Sequence, residues 1–193
     1  MNVKDFINEI NNTYPDIDKN EVASDDLISE KEKILGYKLP NSFKTFLKEF
    51  SNGILLLDAE PIGGVGEDDD SPCGSIFLAS SYIKKNVINI IPTKETITPD
   101  KLIAFSLYDA MDSANNFWVF ICDREYPDNE YRVGLISQYT EDIVVVLDSF
   151  EDWLTVLWNA NKDSDDAISV FHSMYKTWEE REDLLRPDWR SQD

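Results

Sequence analysis

Six short apolar runs fill the middle of this chain, and helical periodicity appears only to either side of them. The runs are Ile54 to Leu57, Ile76 to Ala79, Leu102 to Leu107, Phe117 to Cys122, Arg132 to Ile136 and Ile143 to Leu147. Gly, Pro, Asn and Asp bound them, so they read as strands. The stretch from Ser80 to Ile91 fits helix or strand equally well. Strands gathered in the centre with helices at both ends predict an α+β fold. Its central sheet is expected to be mostly antiparallel, because the βαβ alternation of a parallel sheet is missing.

The helices follow from spacing and caps. Val3, Phe6, Ile7 and Ile10 recur at helical intervals, and Pro15 closes that region. Ser24 is an N-cap type, and Asp25 and Asp26 suit the positive end of a helix dipole. Leu27, Ile28, Ile34 and Leu35 are expected on one side of this second helix, with Gly36 as a left-handed stop. Pro40 presets a third start, Phe43, Phe46, Leu47 and Phe50 share a face, and Asn52-Gly53 supplies turn chemistry. Ser149 and Asp152 resemble a capping box ahead of Phe150, Trp153, Leu154, Leu157 and Trp158. A last helix is predicted from Ser164, with Ile168, Phe171, Tyr175 and Trp178 on one face. A length of 193 residues suits one domain. The division expected is a main domain over 1–160 and a helical extension over 161–193, packed on the same domain.

Charge narrows the function classes. The chain carries 38 acidic and 18 basic residues, a net charge of −20. Direct nucleic-acid binding needs cations to displace counterions, and anionic membranes attract basic surfaces, so both are disfavoured. A basic protein partner would be steered toward such a surface. Acidity that serves only solubility is the competing account. The segment from Met1 to Pro15 has no apolar run of signal-peptide type, and no stretch approaches a membrane span of about 20 residues. Cys73 and Cys122 are too few for a disulfide framework and read as reduced core residues. A cytoplasmic monomer without cofactor is the expectation.

No reactive constellation survives inspection. His172 is the one histidine, and nothing around it suggests a triad. Two separated cysteines and one histidine lack zinc-ligand spacing. Gly63-Gly64-Val65-Gly66 is followed by Glu67, Asp68, Asp69 and Asp70, which would repel phosphate. Asp16-x-Asp18-x-Asn20 begins like a calcium loop, but Glu21 stands where Gly is required and Leu27 where a bidentate Glu is required. Carboxylates are too abundant for any pair to stand out as acid and base.

Two acidic segments remain as candidate binding loops. The first holds Asp58, Glu60, Glu67, Asp68, Asp69 and Asp70. The second holds Asp123, Glu125, Tyr126, Asp128 and Glu130, relieved locally by Arg124 alone. Both flank predicted strands, and projection from one side of the sheet would join them into one surface for a basic partner. Solvated loops are the alternative account, though loops carry binding more often than core elements do.

The sequence also resembles the SUKH superfamily. Glu32-x-x-Leu35-Gly36-x-x-Leu39-Pro40-x-x-Phe43-x-x-Phe46-Leu47, followed by Ser51-Asn52-Gly53, is similar to the opening of a SUKH domain. Ile103-Ala104-Phe105, then Phe117 to Asp123, resembles the paired central strands, and Ser149-Phe150-Glu151-Asp152-Trp153-Leu154 resembles the closing helix. The likeness runs from about residue 20 to 158 and departs at Asn115-Asn116, where family members often carry Gly-Asp. It implies a binding scaffold rather than an enzyme. Bacterial members are typically immunity proteins that neutralise polymorphic toxins, many of them nucleases, and a fungal branch comprises regulators of cell-wall synthesis. Three functions are thereby set against one another: an immunity protein, a regulatory or scaffold module, and a metal-dependent hydrolase using clustered acids.

Overall fold

The apolar spacing of the N-terminal third is realised as three helices: α1 (Val3–Thr13), α2 (Asp25–Leu35) and α3 (Asn41–Glu49). This computed structural model describes residues 1–56, 60–66, 75–108, 116–123, 130–137 and 140–162. Val3, Phe6, Ile7 and Ile10 are all buried on α1. The Ser24 hydroxyl accepts from the Leu27 N–H as the N-cap of α2, and Gly36 ends that helix at φ 75°. Its buried face differs from the expected stripe. Ile28, Lys31 and Glu32 are buried, whereas Ile34 is 64 % exposed. Pro40 stands at the N-cap of α3, and Gly53 follows that helix at φ 88°.

The strands are β1 (Ile54–Leu56), β2 (Glu60–Ile62), β3 (Ile88–Ile90), β4 (Glu95–Ile97), β5 (Leu102–Tyr108), β6 (Asn116–Ile121), β7 (Arg132–Ile136) and β8 (Ile143–Leu147). They form one sheet in the order β1-β2-β5-β6-β7-β8-β3-β4. Every pairing is antiparallel except β3 with β8. The α+β expectation therefore holds. One predicted strand is corrected: Ile76 to Ala79 belongs to a short helix, α4 (Ile76–Ser81), capped by the Ser75 hydroxyl. The ambiguous stretch after it contains the end of α4 and then β3.

The sheet is rolled. β4 and β5 stand five places apart in the strand order, yet only Thr98 to Lys101 join them. A flat sheet would separate them by about 24 Å at ~4.8 Å per strand. The link can reach no more than about 18 Å even when extended, and Pro99–Lys101 is a tight 3₁₀ turn. Arg132 at the start of β7 accordingly reaches across to Glu95 on β4, with Nη1 3.3 Å from Oε2. Asp142 ties the parallel pairing, accepting from the Asn89 N–H at 2.8 Å and from Lys85 Nζ at 2.6 Å.

Two cores result. The larger one packs α1, α3 and α5 (Phe150–Lys162) on one face of the sheet. Phe43 lies 5.1 Å from Phe120 and 5.2 Å from Phe150, ring centre to ring centre. Phe150, Trp153, Leu154, Leu157 and Trp158 are all buried, as their spacing predicts. Ser149 caps α5, accepting from the Asp152 N–H and donating to its carboxylate. The second core fills the opposite face, where Ile88, Ile90 and Ile97 meet Leu102, Val119, Ile121 and Ile143. Burial on both faces explains why β6 reads as an unbroken apolar run rather than an alternating one. The helix predicted from Ser164, His172 and Cys73 lie outside the described residues.

Candidate protein-binding site

Glu32 organises the segment between α2 and α3. Its carboxylate is buried and accepts from the Leu39 N–H at 2.9 Å, from Lys38 Nζ at 2.6 Å and from Lys44 Nζ at 3.4 Å. Burial pushes its pKa up, but the bonds from Lys38 and Leu39 outweigh that and hold it below the usual carboxylate range. The acid thus fixes the turn that delivers Leu39 and Pro40 to the core.

Ser51, Asn52 and Gly53 form a second organising point. Asn20 donates its N–H to Ser51 Oγ at 2.9 Å and its side-chain amide to the Gly53 carbonyl at 2.8 Å. Asn52 Oδ1 accepts from the Val65 N–H at 2.8 Å. Gly64 lies so close that an added Cβ would stand 2.6 Å from the Asn52 carbonyl oxygen. Gly64 therefore serves close backbone approach to a turn.

The second acidic segment begins and ends with carboxylates engaged inside the molecule. Asp123 follows β6 and accepts from Arg132 Nη2 at 2.8 Å. Arg132, from the neighbouring strand, thus offsets charge in this patch, a partnership that adjacency in the sequence does not reveal. Glu130 accepts from the Ser42 N–H at 2.8 Å and from its hydroxyl at 2.7 Å, so it caps α3 in place of Pro40. Burial raises the Glu130 pKa despite these bonds. Cys122, which precedes Asp123, is buried, and burial, with Asp123 nearby, pushes its thiol up to about 12. Burial likewise raises the Tyr37 phenol, with Cys122 and Asp100 adding to the effect.

Among the described residues, Glu60 of the first acidic segment and Asp123 of the second stand at opposite ends of the strands. Ile62 pairs with Ser106, so Glu60 at the head of β2 runs level with the far end of β5, near Tyr108 and Asn116. Asp123 lies beyond Ile121, which pairs with Leu102 and Arg132 at the other end. The seven residue-to-residue steps from Asn116 to Asp123 correspond to about 23 Å along the strands. Asp58, Glu67, Asp68, Asp69, Asp70, Glu125, Tyr126 and Asp128 lie outside the described residues. Among the described residues, no group of three or more His, Cys, Asp or Glu side chains is arranged to hold a metal ion. No helix among them is long and apolar enough to cross a membrane.

Residues 22–156 match the SMI1 / KNR4 family (SUKH-1). The chain belongs to the SUKH-1 family. The match covers well over half of the chain and spans all three motifs of the resemblance, from Glu32 to Leu154. No curated protein matches the sequence. In this SUKH-1 domain the signature residues are accounted for by structure. Glu32 holds the α2–α3 turn, Ser51-Asn52-Gly53 holds the entry to β1, and Leu39, Phe43 and Phe46 fill the core.

Proposed function

We propose that this SUKH-1 protein is a non-enzymatic immunity protein that binds and neutralises a cognate polymorphic toxin in the bacterial cytoplasm. The observation that carries this reading is SUKH-1 membership over residues 22–156, joined to a net charge of −20. A toxin that acts on nucleic acid must present a basic face, and carboxylates on a rigid scaffold compete for that face. The proposed contacts are Asp58, Glu60 and Glu67 to Asp70 in one segment, and Glu125, Tyr126 and Asp128 in the other. Asp123 and Glu130 act there as anchors that fix the two ends of the second loop, because both already bind partners within the domain.

The test is co-expression with the product of a toxin-like gene encoded beside this one. Protection of the host and a nanomolar complex are expected. A toxin that kills with the chain present, and no complex at micromolar concentration, would sink the reading. A regulatory scaffold role predicts the same fold but no protection.

A further inference from the structure

The charge of this chain is unevenly placed. Between Lys31 and Lys48 stand five lysines and one acidic residue, in a chain whose net charge is −20. Three of those lysines line a groove of about 430 Å³ between α2 and α3. Lys38 and Lys44 lean on the buried Glu32 carboxylate, at 2.6 and 3.4 Å. Lys48 pairs with Asp25 at 2.7 Å, and Asp25 is 80 % exposed.

An ammonium group carries three N–H donors. Each of these bridges occupies one donor and leaves others on each ammonium group, and all three side chains line the same groove. Glu32 cannot leave, because the Leu39 N–H holds it as well. Two cations are therefore held in position at the groove by a buried acid, while the third is held only by an exposed acid that a ligand can displace at little cost. Ser29 and Thr45 add polar groups to the walls. Three lysines against two carboxylates leave a net charge of +1 in the groove, which attracts an anion within an otherwise acidic chain.

We propose that the α2–α3 groove is a recognition site for an acidic side chain, Asp or Glu, of a protein partner. It does not depend on the partner being a toxin. On an otherwise anionic surface such a site fixes the register of a complex, because a partner that is basic throughout has nothing to place there.

The probe is a capped Gly-Glu-Gly-Glu-Gly peptide, titrated into the full chain at low salt and followed by backbone amide shifts. Saturable shifts centred on Ser29, Thr45 and Lys48 are expected, weakening as salt screens the charges. The variant Lys38→Gln/Lys48→Gln should bind at least about tenfold more weakly, while Lys38→Arg/Lys48→Arg should retain binding. The Arg pair keeps both charges, so loss of binding there overturns the proposal. So does an absence of saturable shifts, or their persistence in the Gln pair. Inorganic phosphate binding as well as the peptide would make the groove a simple anion site and overturn the commitment to a side chain. Neutralisation of a toxin in the co-expression assay is read separately, so either result can fail alone.

Discussion

The carboxylate of Glu130 caps helix α3 through Ser42, a residue 88 positions earlier, accepting from its N–H at 2.8 Å and from its hydroxyl at 2.7 Å. Pro40 occupies the N-cap but offers no side-chain acceptor. The helix that carries Phe43 and Phe46 is thus closed by an acid from the loop before β7. Since burial raises the Glu130 pKa, folding favours its protonated form. A raised carboxylate contributes stability that is fully present below its unfolded value, near 4.5, and is lost as pH rises through the folded value. Glu130→Gln keeps an acceptor for the Ser42 N–H and removes this titration. Unfolding of the two proteins measured from pH 4 upward should show the wild type losing stability relative to the Gln variant. Glu130→Ala removes the cap and should cost about 1–2 kcal/mol.

Glu32 titrates in the opposite sense. Its pKa is held low, so its contribution is present above the unfolded value of 4.5 and disappears as pH falls below it. Glu32→Gln leaves Lys38 and Lys44 without their counter-charge, and Glu32→Ala also leaves the buried Leu39 N–H without its acceptor. Loss of a partner from a buried ionic cluster costs about 3–5 kcal/mol. The Ala variant is expected to melt many degrees lower at pH 7, with the deficit shrinking as pH falls from 4.5 through the lowered folded value of Glu32.

Gly64 and Gly66 offer an internal comparison. A Cβ at Gly64 would stand 2.6 Å from a backbone oxygen, whereas one at Gly66 would meet only Asn52 Nδ2 at 3.8 Å. Neither needs a positive φ. Gly64→Ala should destabilise by about 1–3 kcal/mol through overpacking, and Gly66→Ala should melt close to the wild type. Equal melting temperatures for the two variants would contradict the close approach of this segment to Asn52.

Cys122 should be inert to thiol reagents in the native protein. It is buried, and its thiol is pushed up to about 12, so thiolate is scarce at pH 8. In a Cys73→Ser background, labelling at pH 8 should proceed only as fast as the protein unfolds. Prompt labelling without denaturant would contradict the burial of β6.

How far the sequence discloses this fold depends on element length and on whether partners lie close in the chain. Helices α1, α3 and α5 show their period over several turns, and Ser24, Gly36 and Gly53 act through local backbone chemistry that needs no tertiary context. Helix α4 spans six residues, too few to separate a helical period from an apolar run, so Ile76 to Ala79 reads as a strand. Three-residue strands such as β2, β3 and β4 are legible only through their pairing. Ile34 faces solvent because Glu32 turns inward to its hydrogen bonds, which apolar spacing does not encode. For the binding site, Glu32 is visible as a letter of the motif, but its work is not. Glu130 and Arg132 are hidden more deeply: one is an acid among many, and the other acts on Asp123 across a strand boundary.

The rolled sheet has a consequence for how the protein is made. β3 leaves its hairpin with β4 only to be bordered on its other side by β8, whose Ile143 pairs with Ile90. While a ribosome has delivered only the first hundred residues, that hairpin has no sheet to join, and a lone pair of strands is marginal in water. Helix α1 waits longer still, since the Val3 N–H is accepted by Glu151 on α5. Synthesis must pass α5 before either end of the domain can close. The nascent chain therefore exposes apolar strands for most of its translation, and folding comes as a late, collective event rather than in step with elongation.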